Sequence, residues 1–384
     1  MPKMKTKNLY IAGMFRSGTT LVARMLANHK NIACASDAYL PIYKEIRNKV
    51  RKNMSSNYHQ DRDDDPFHDY YFDHENNNVY REIKRVELNE EIIEEQRLQE
   101  LRKKIYTYAL PYSQNLAKEI KRLEGGTFEE VIRNAYQLVR DIYGDEESLI
   151  VATKEVWTNE FNFSLQKSNI IDKVIHIVRD PRAVIASNIA SGQAYPLIFT
   201  LRQWRKIAGI AISCSQLSNQ EVLKYEDLAN DKEHMCKKLC RFLEIDYDSS
   251  MICEENYKDG EGKPWKRNTS YNYKAGNKIQ ASNDWLKVLS EQQIIFIEKY
   301  AQIEMEKLGY KQIYRELPEK TGYTEKNLQY AGWIKEYSNY HWESEEKKEN
   351  IRLKIFKSTQ IISENDIKYN FIDKDIYACL RGEP

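Results

Sequence analysis

Apolar positions fall into two rhythms along this chain. Leu9, Tyr10 and Ile11 stand in a row within 8–13, which predicts a short buried strand. After a glycine-containing turn, Leu21, Val22, Met25 and Leu26 recur at helical spacing within 19–29. Strand-like runs return at 148–153, 173–178 and 221–224, and helical periodicity at 181–191, 197–217, 231–243 and 290–308. Pro181 suits the first turn of its helix. From about 41 to 147 the pattern is mostly helical. Thr127 and Glu130 form a capping box there, and Gly144 closes that helix. Strands alternating with helices predict an α/β fold, a central parallel sheet flanked by helices. The expected α/β domain spans 1–310, with 41–147 as a large helical insertion. The polar, Tyr-rich remainder, 311–384, is expected as a helical C-terminal extension packed on the same domain.

Composition narrows the function classes. The 384 residues are 41% hydrophobic and 30% charged, enough to build a sizeable core and against wholesale disorder. The net charge of +1 disfavours a general polyanion binder, so no nucleic-acid partner is expected. Mean hydropathy is −0.74, and no apolar run approaches the roughly 20 residues of a membrane span. Arg16 cuts the first apolar stretch too early for a signal peptide. The six scattered cysteines therefore read as reduced thiols of a cytoplasmic protein. Cys236 and Cys240 sit one helical turn apart, and packing is the favoured reading because no second pair follows at zinc spacing.

Charge is unevenly placed. Lys3, Lys5, Lys7, Arg16, Arg24 and Lys30 all precede the first acid, Asp37. The loop 258–278 holds Lys258, Lys263, Lys266, Arg267, Lys274 and Lys278 against two acids. The stretch 59–75 holds seven acids, one arginine, and His59, His68 and His74. A solvated acidic lid over a basic site is the favoured reading of that stretch, ahead of a metal site.

The chemistry centres on 13–20, Gly-Met-Phe-Arg-Ser-Gly-Thr-Thr, between the first strand and its helix. This keeps the spacing of a phosphate-binding loop, where backbone N–H groups and a helix N-terminus form an anion site. A triphosphate-hydrolysing loop would carry lysine where this chain has Thr19. Arg16 supplies the charge instead, which argues against a P-loop kinase and for a donor with a shorter phosphate tail. Lys154, Arg179 and Tyr225 stand at or beside the ends of three further strands. Ligands of open parallel sheets sit beyond those carboxyl ends.

With these pieces in order, the sequence resembles the PAPS-dependent sulfotransferases, more closely the tyrosylprotein and glycan branch. The resemblance covers roughly 8–34, 149–245 and 265–310. Residues 15–21 look like the 5′-phosphosulfate loop, 177–187 like the 3′-phosphate motif, 224–228 like the tyrosine-containing segment beside the nucleotide, and Trp285 with 307–310 like the C-terminal signature. The resemblance implies a P-loop NTPase-like sheet, PAPS as sulfuryl donor, PAP as product, and no metal. It implies that Arg16, Ser17, Gly18, Thr19 and Thr20 hold the 5′-phosphate and sulfuryl group, and that Arg179 and Ser187 hold the 3′-phosphate. Tyr225 would lie along the nucleotide, Ser270 and Tyr271 would close over it, and Lys154 would contact the bridging oxygen. The tyrosylprotein branch has a glutamate base twenty-one residues after the loop arginine, a position held here by Asp37.

Two departures accompany this. Asp37 is one methylene shorter than glutamate, and Asp284 stands where that branch has a lysine before the tryptophan. Asp37 is expected as the catalytic base, with a helix N-cap as its other reading and His59, His68 and His74 in reserve. The expected function is sulfuryl transfer from PAPS to a hydroxyl acceptor, a carbohydrate or glycolipid ahead of a protein tyrosine. A non-catalytic PAP-binding module is the alternative from another class.

Overall fold

Strand β1 (Lys7–Gly13) runs through the middle of a five-stranded sheet, and its second half is fully buried. The computed structural model describes residues 6–55, 66–192, 195–265, 284–314, 316–325 and 341–383. The sheet order is β2 (Ile32–Ser36), β3 (Ile150–Val156), β1, β4 (Lys173–Val178), β5 (Gln220–Lys224). β1 pairs in parallel with β3 and β4, and β2 in parallel with β3. Helices connect and flank the strands, as the alternating pattern predicts. The chain is thus an α/β protein with a central parallel sheet, a helical insertion and C-terminal helices.

The helices in chain order begin with α1 (Thr19–Ala27) after β1. The insertion carries α2 (Leu40–Met54), α3 (Val79–Arg85), α4 (Glu95–Ala109), α5 (Gln114–Glu119) and α6 (Phe128–Tyr143). Then come α7 (Asn162–Lys167), α8 (Pro181–Ala190), α9 (Leu197–Cys214), α10 (Tyr225–Asn230) and α11 (Lys232–Leu243). The C-terminal part holds α12 (Glu291–Tyr300), α13 (Gln302–Lys307), α14 (Trp342–Lys357), α15 (Glu364–Phe371) and α16 (Lys374–Arg381). No helix among the described residues is long and apolar enough to cross a membrane.

Local signals act as expected in several places. Thr127 and Glu130 form the reciprocal capping box of α6, worth about 1 kcal/mol. Pro181 opens α8 behind an Asp180 cap. Elsewhere the structure corrects the reading. β3 continues two residues past Lys154, so Lys154 is a strand residue paired with Ile11 and Ser36 rather than a strand end. The span expected as one helix over 290–308 breaks at Ala301, which separates α12 from α13. β2 was not expected at all, because Ile-Ala-Cys-Ala-Ser offers neither alternation nor bulk.

The chain forms two compact units. The first comprises Met1–Phe67, Arg81–Ile177 and Gln216–Arg267. It contains the sheet, and Tyr10 of β1, Tyr39 and Tyr43 beside and on α2, and Tyr136 of α6 are all buried. Cys236 and Cys240 are buried on α11, with Cys240 Sγ 3.5 Å from Met251 Sδ, in keeping with a packing role.

The second unit comprises His68–Tyr80, Val178–Ser215 and Asn268–Pro384. Its core combines apolar side chains with buried ion pairs. Arg202 bonds Glu345 (2.7 Å) and Glu349 (2.9 Å), Arg205 bonds Glu349 (2.5 Å), and Arg352 pairs with Glu304. Tyr70, Tyr71 and Phe72 lie against Lys206, Arg205 and Arg202, at 5.0, 4.5 and 4.7 Å from charge to ring. His74 stacks on Tyr369 at 4.2 Å, and His68 Nε2 lies 3.3 Å from Asp73. The described half of the acidic stretch is therefore an anchored aromatic strap, not a solvated lid. The other half, including His59, lies outside the described residues.

Candidate functional site

The loop after β1 is shaped by two residues in the left-handed region, Arg16 (φ 65) and Gly18 (φ 86). That curl turns successive N–H groups toward one side. Gly18 is the N-cap of α1 and offers no side chain to its N–H groups. The first turn of α1 holds no acid, so its amide dipoles are not neutralised from within. Ser17 Oγ is buried without a hydrogen-bond partner. A buried orphan hydroxyl and an uncapped helix N-terminus suit an anion with several acceptor oxygens.

Glycine is required at two points of this loop. A Cβ on Gly13 would lie 2.6 Å from Ile177 O, where β1 meets β4. A Cβ on Gly18 would lie 2.4 Å from the Tyr225 ring. Tyr225, the first residue of α10 after β5, thus packs its ring directly on the loop backbone. Gly18→Ala combines a strained backbone, about 1–2 kcal/mol, with displacement of that ring. It should lower stability by about that amount. Urea unfolding checks this, and an unchanged midpoint would show that the Tyr225 ring accommodates the added methyl group.

Parallel register sets the rest of the first unit's site. Ser36 pairs with Lys154, so Asp37 emerges just beyond the edge of β2. The Asp37 N–H donates to Lys154 O (2.7 Å), and the Asp37 φ is 50°. Lys154 Nζ bonds the Asp37 carboxylate and also reaches Thr20 Oγ1 at 3.3 Å. Ser36 Oγ donates to Asp37 Oδ2 (3.2 Å). Lys154 is 1% exposed and Asp37 6%. A lysine, a carboxylate and a loop hydroxyl are therefore in one contact group at the first turn of α1.

Asp37 does not cap a helix. The N-cap of α2 is Tyr39. The N–H groups of Ala38 and Tyr39 donate instead to Glu155 Oε1, at 2.8 and 2.6 Å. Glu155 is fully buried, and its carboxyl is pushed up to about 8, first by burial and next by the Asp37 charge. Sequence reading passed over Glu155. The available signal was two adjacent opposite charges, Lys154 and Glu155, inside a strand whose other residues, Thr153 apart, are apolar.

The insertion also contributes. Ser113 Oγ donates to Ser36 O (2.8 Å) and accepts from the Ser36 N–H (3.1 Å). This fastens the turn after α4 beside Asp37. The neighbouring Tyr112 ring is 38% exposed. Its phenol is held above the usual range, mostly by burial and also by the Asp37 charge. Phe15 and Trp157 meet edge to face, with centroids 5.3 Å apart.

The expected 3′-phosphate residues belong to the second unit. Arg179 is the residue immediately after β4, and its carbonyl accepts from Trp204 Nε1 (2.7 Å). Ser187 is buried on α8. On the same helix Arg182 pairs with Asp180 (2.6 Å) and Glu298 (2.5 Å), and lies 4.4 Å from the Trp285 ring. Asp284 bonds Lys287 (2.7 Å). Ser270 and Tyr271 lie outside the described residues.

Among solved structures, the sulfotransferase domain of the curacin biosynthetic pathway aligns over 82% of this chain and 99% of its own, at 18% identity and a TM-score of 0.41. The sulfotransferase domain of the Synechococcus PCC 7002 olefin synthase aligns over 75% and 95%, at 16% identity and a TM-score of 0.40. Retinol dehydratase, solved with androsterone and the inactive cofactor PAP, aligns over 79% and 82%, at 12% identity and a TM-score of 0.34. No curated protein matches the chain. Residues 8–124, which carry β1, the loop 13–20, β2 and Asp37, match the model of a sulfotransferase family.

Proposed function

We propose that the chain is a PAPS-dependent sulfotransferase that moves a sulfuryl group to a hydroxyl acceptor, with a carbohydrate or glycolipid as the acceptor class. One observation carries this reading. Lys154 Nζ touches both Asp37 and Thr20, which joins a carboxylate to the rim of an anion-binding loop. PAPS would supply an activated sulfuryl group on its 5′-phosphate. The loop N–H groups, Arg16, Ser17 and Thr20 would bind that end, and the orphaned Ser17 hydroxyl fits such a group. Arg179 and Ser187 would bind the 3′-phosphate, and Tyr225 would line the nucleotide.

Sulfuryl transfer resembles phosphoryl transfer, so positioning and fixed charge supply most of the rate. Lys154 would stabilise negative charge developing on the leaving oxygen. Asp37 would take the acceptor hydroxyl's proton onto its carboxylate. Tyr112, exposed and within the electrostatic reach of Asp37, supports a ring-shaped acceptor that stacks on an aromatic face.

The test uses purified chain, radiolabelled PAPS, and a panel of glycans, glycolipids and tyrosine peptides. The expected result is calorimetric binding of PAP and transfer to a saccharide hydroxyl. Transfer to tyrosine peptides alone would replace the acceptor class. No transfer together with no PAP binding sinks the enzyme reading.

A further inference from the structure

Glu155 and Asp37 are neighbouring carboxyls, but their surroundings differ. Asp37 touches the Lys154 ammonium and the Ser36 hydroxyl. Glu155 Oε1 accepts two backbone N–H groups, while Oε2 is buried with no hydrogen-bond partner. An ionised oxygen left bare in an apolar interior costs far more than a neutral one. The groups that face Glu155 offset only part of that cost. They are Tyr10 of β1, Tyr39 and Tyr43 beside and on α2, Tyr136 of α6, and the Asp37–Lys154 pair. The four phenols are neutral, and the Lys154 ammonium already bonds Asp37.

Glu155 also governs where Asp37 stands. The turn 37–39 begins with a non-glycine residue at positive φ, a conformation that surrounding contacts must hold. Those contacts are the Asp37 N–H bond to Lys154 O and the two N–H bonds to Glu155 Oε1. Both come from consecutive residues of β3. The strand alternation sends Lys154 to one face and Glu155 to the other, so the turn is gripped from both sides.

We propose that Glu155 is a positioning residue that works as a neutral carboxylic acid, fixing the Asp37–Tyr39 turn while leaving Asp37 as the sole anion of the carboxyl pair. This rests on the reading of Asp37 as the base. The direction of the carboxyl's shift agrees, since burial and the Asp37 charge both favour the protonated form. The sign for stability follows from linkage. The folded state holds the proton up to about pH 8, whereas the unfolded chain releases it near 4.5. Stability therefore falls as pH rises through that window, because the native state binds more protons there. Above about 8 the second anion forms beside Asp37 and opposes the turn.

The test compares wild type, Glu155→Gln and Glu155→Ala as full chains. Glu155→Gln keeps an acceptor oxygen and cannot ionise. Its thermal stability should lack the downward slope that wild type shows between about pH 5 and 8. Its kcat below pH 7 should stay within about threefold of wild type, and its kcat profile should lose a limb near pH 8. Glu155→Ala leaves two N–H groups unpaired and should lower kcat about tenfold or more with little change in donor KM. Identical stability slopes in wild type and Glu155→Gln overturn the proposal. So does a Glu155→Gln kcat as low as that of Glu155→Ala. If wild type transfers to no acceptor, the reading of Asp37 as base falls, and the stability comparison still decides whether Glu155 is neutral.

Discussion

Asp37→Asn should reduce sulfuryl transfer by about 10²- to 10⁴-fold, the usual contribution of a positioned general base. The amide keeps the shape of the carboxylate and can still accept from Ser36 Oγ and Lys154 Nζ. It cannot take a proton from an acceptor hydroxyl. PAP affinity should stay within about threefold, because the loop, Tyr225 and the helix N-terminus are untouched. The measurement is single-turnover transfer beside calorimetric PAP binding. Wild-type transfer by Asp37→Asn would remove Asp37 from the role of base and bring His68 and His74 back into consideration. Parallel loss of PAP binding would make Asp37 a scaffold for the loop.

Lys154→Met acts on both stability and rate. Lys154 is 1% exposed and bonds a buried carboxylate. Removing one partner of a buried pair leaves an uncompensated charge and costs about 3–5 kcal/mol. The Thr20 contact goes as well, so the loop loses a tie to β3. Loss of a fixed cation at the leaving oxygen should lower transfer by about 10²- to 10³-fold. Urea unfolding reads the first effect and single-turnover kinetics the second. The double variant Lys154→Met/Asp37→Asn should recover part of the stability and none of the rate, since the bare carboxylate is gone and the chemistry is not restored. A Lys154→Met protein as stable as wild type would show that the pair is not the contact holding this edge together.

The two variants differ in what they ask of the fold. Asp37 hangs from a turn that backbone bonds to Lys154 and Glu155 already hold. Lys154 sits within β3, whose backbone is paired to β1 and β2, and its side chain is buried, so it has little room to relax. The stability penalty should therefore be larger at Lys154 than at Asp37.

Much of this protein was determined by local sequence. The buried run at β1, the loop glycines and the amphipathic α1 act over a few residues, so their signals survive without tertiary context. The capping box of α6 and Pro181 of α8 are equally local. Arg16, Ser17, Gly18, Thr19 and Thr20 could be placed in one loop for the same reason. Long-range pairing decided the rest. β2 exists because its edge finds β3, although its own residues hardly favour a strand. That pairing sets Asp37 beside Lys154, a contact between residues 117 positions apart. Charge counting made the stretch 59–75 a lid, while in its described half the rings of Tyr70, Tyr71 and Phe72 meet cations that α9 brings from far along the chain. Glu155 shows the divide most sharply. Its position in a buried strand was readable, but its bond to the Asp37 turn and its bare second oxygen arise only when β3 and the turn after β2 come together. Sequence patterns report what neighbouring residues prefer, whereas burial and pairing depend on atoms that the chain brings together from a distance.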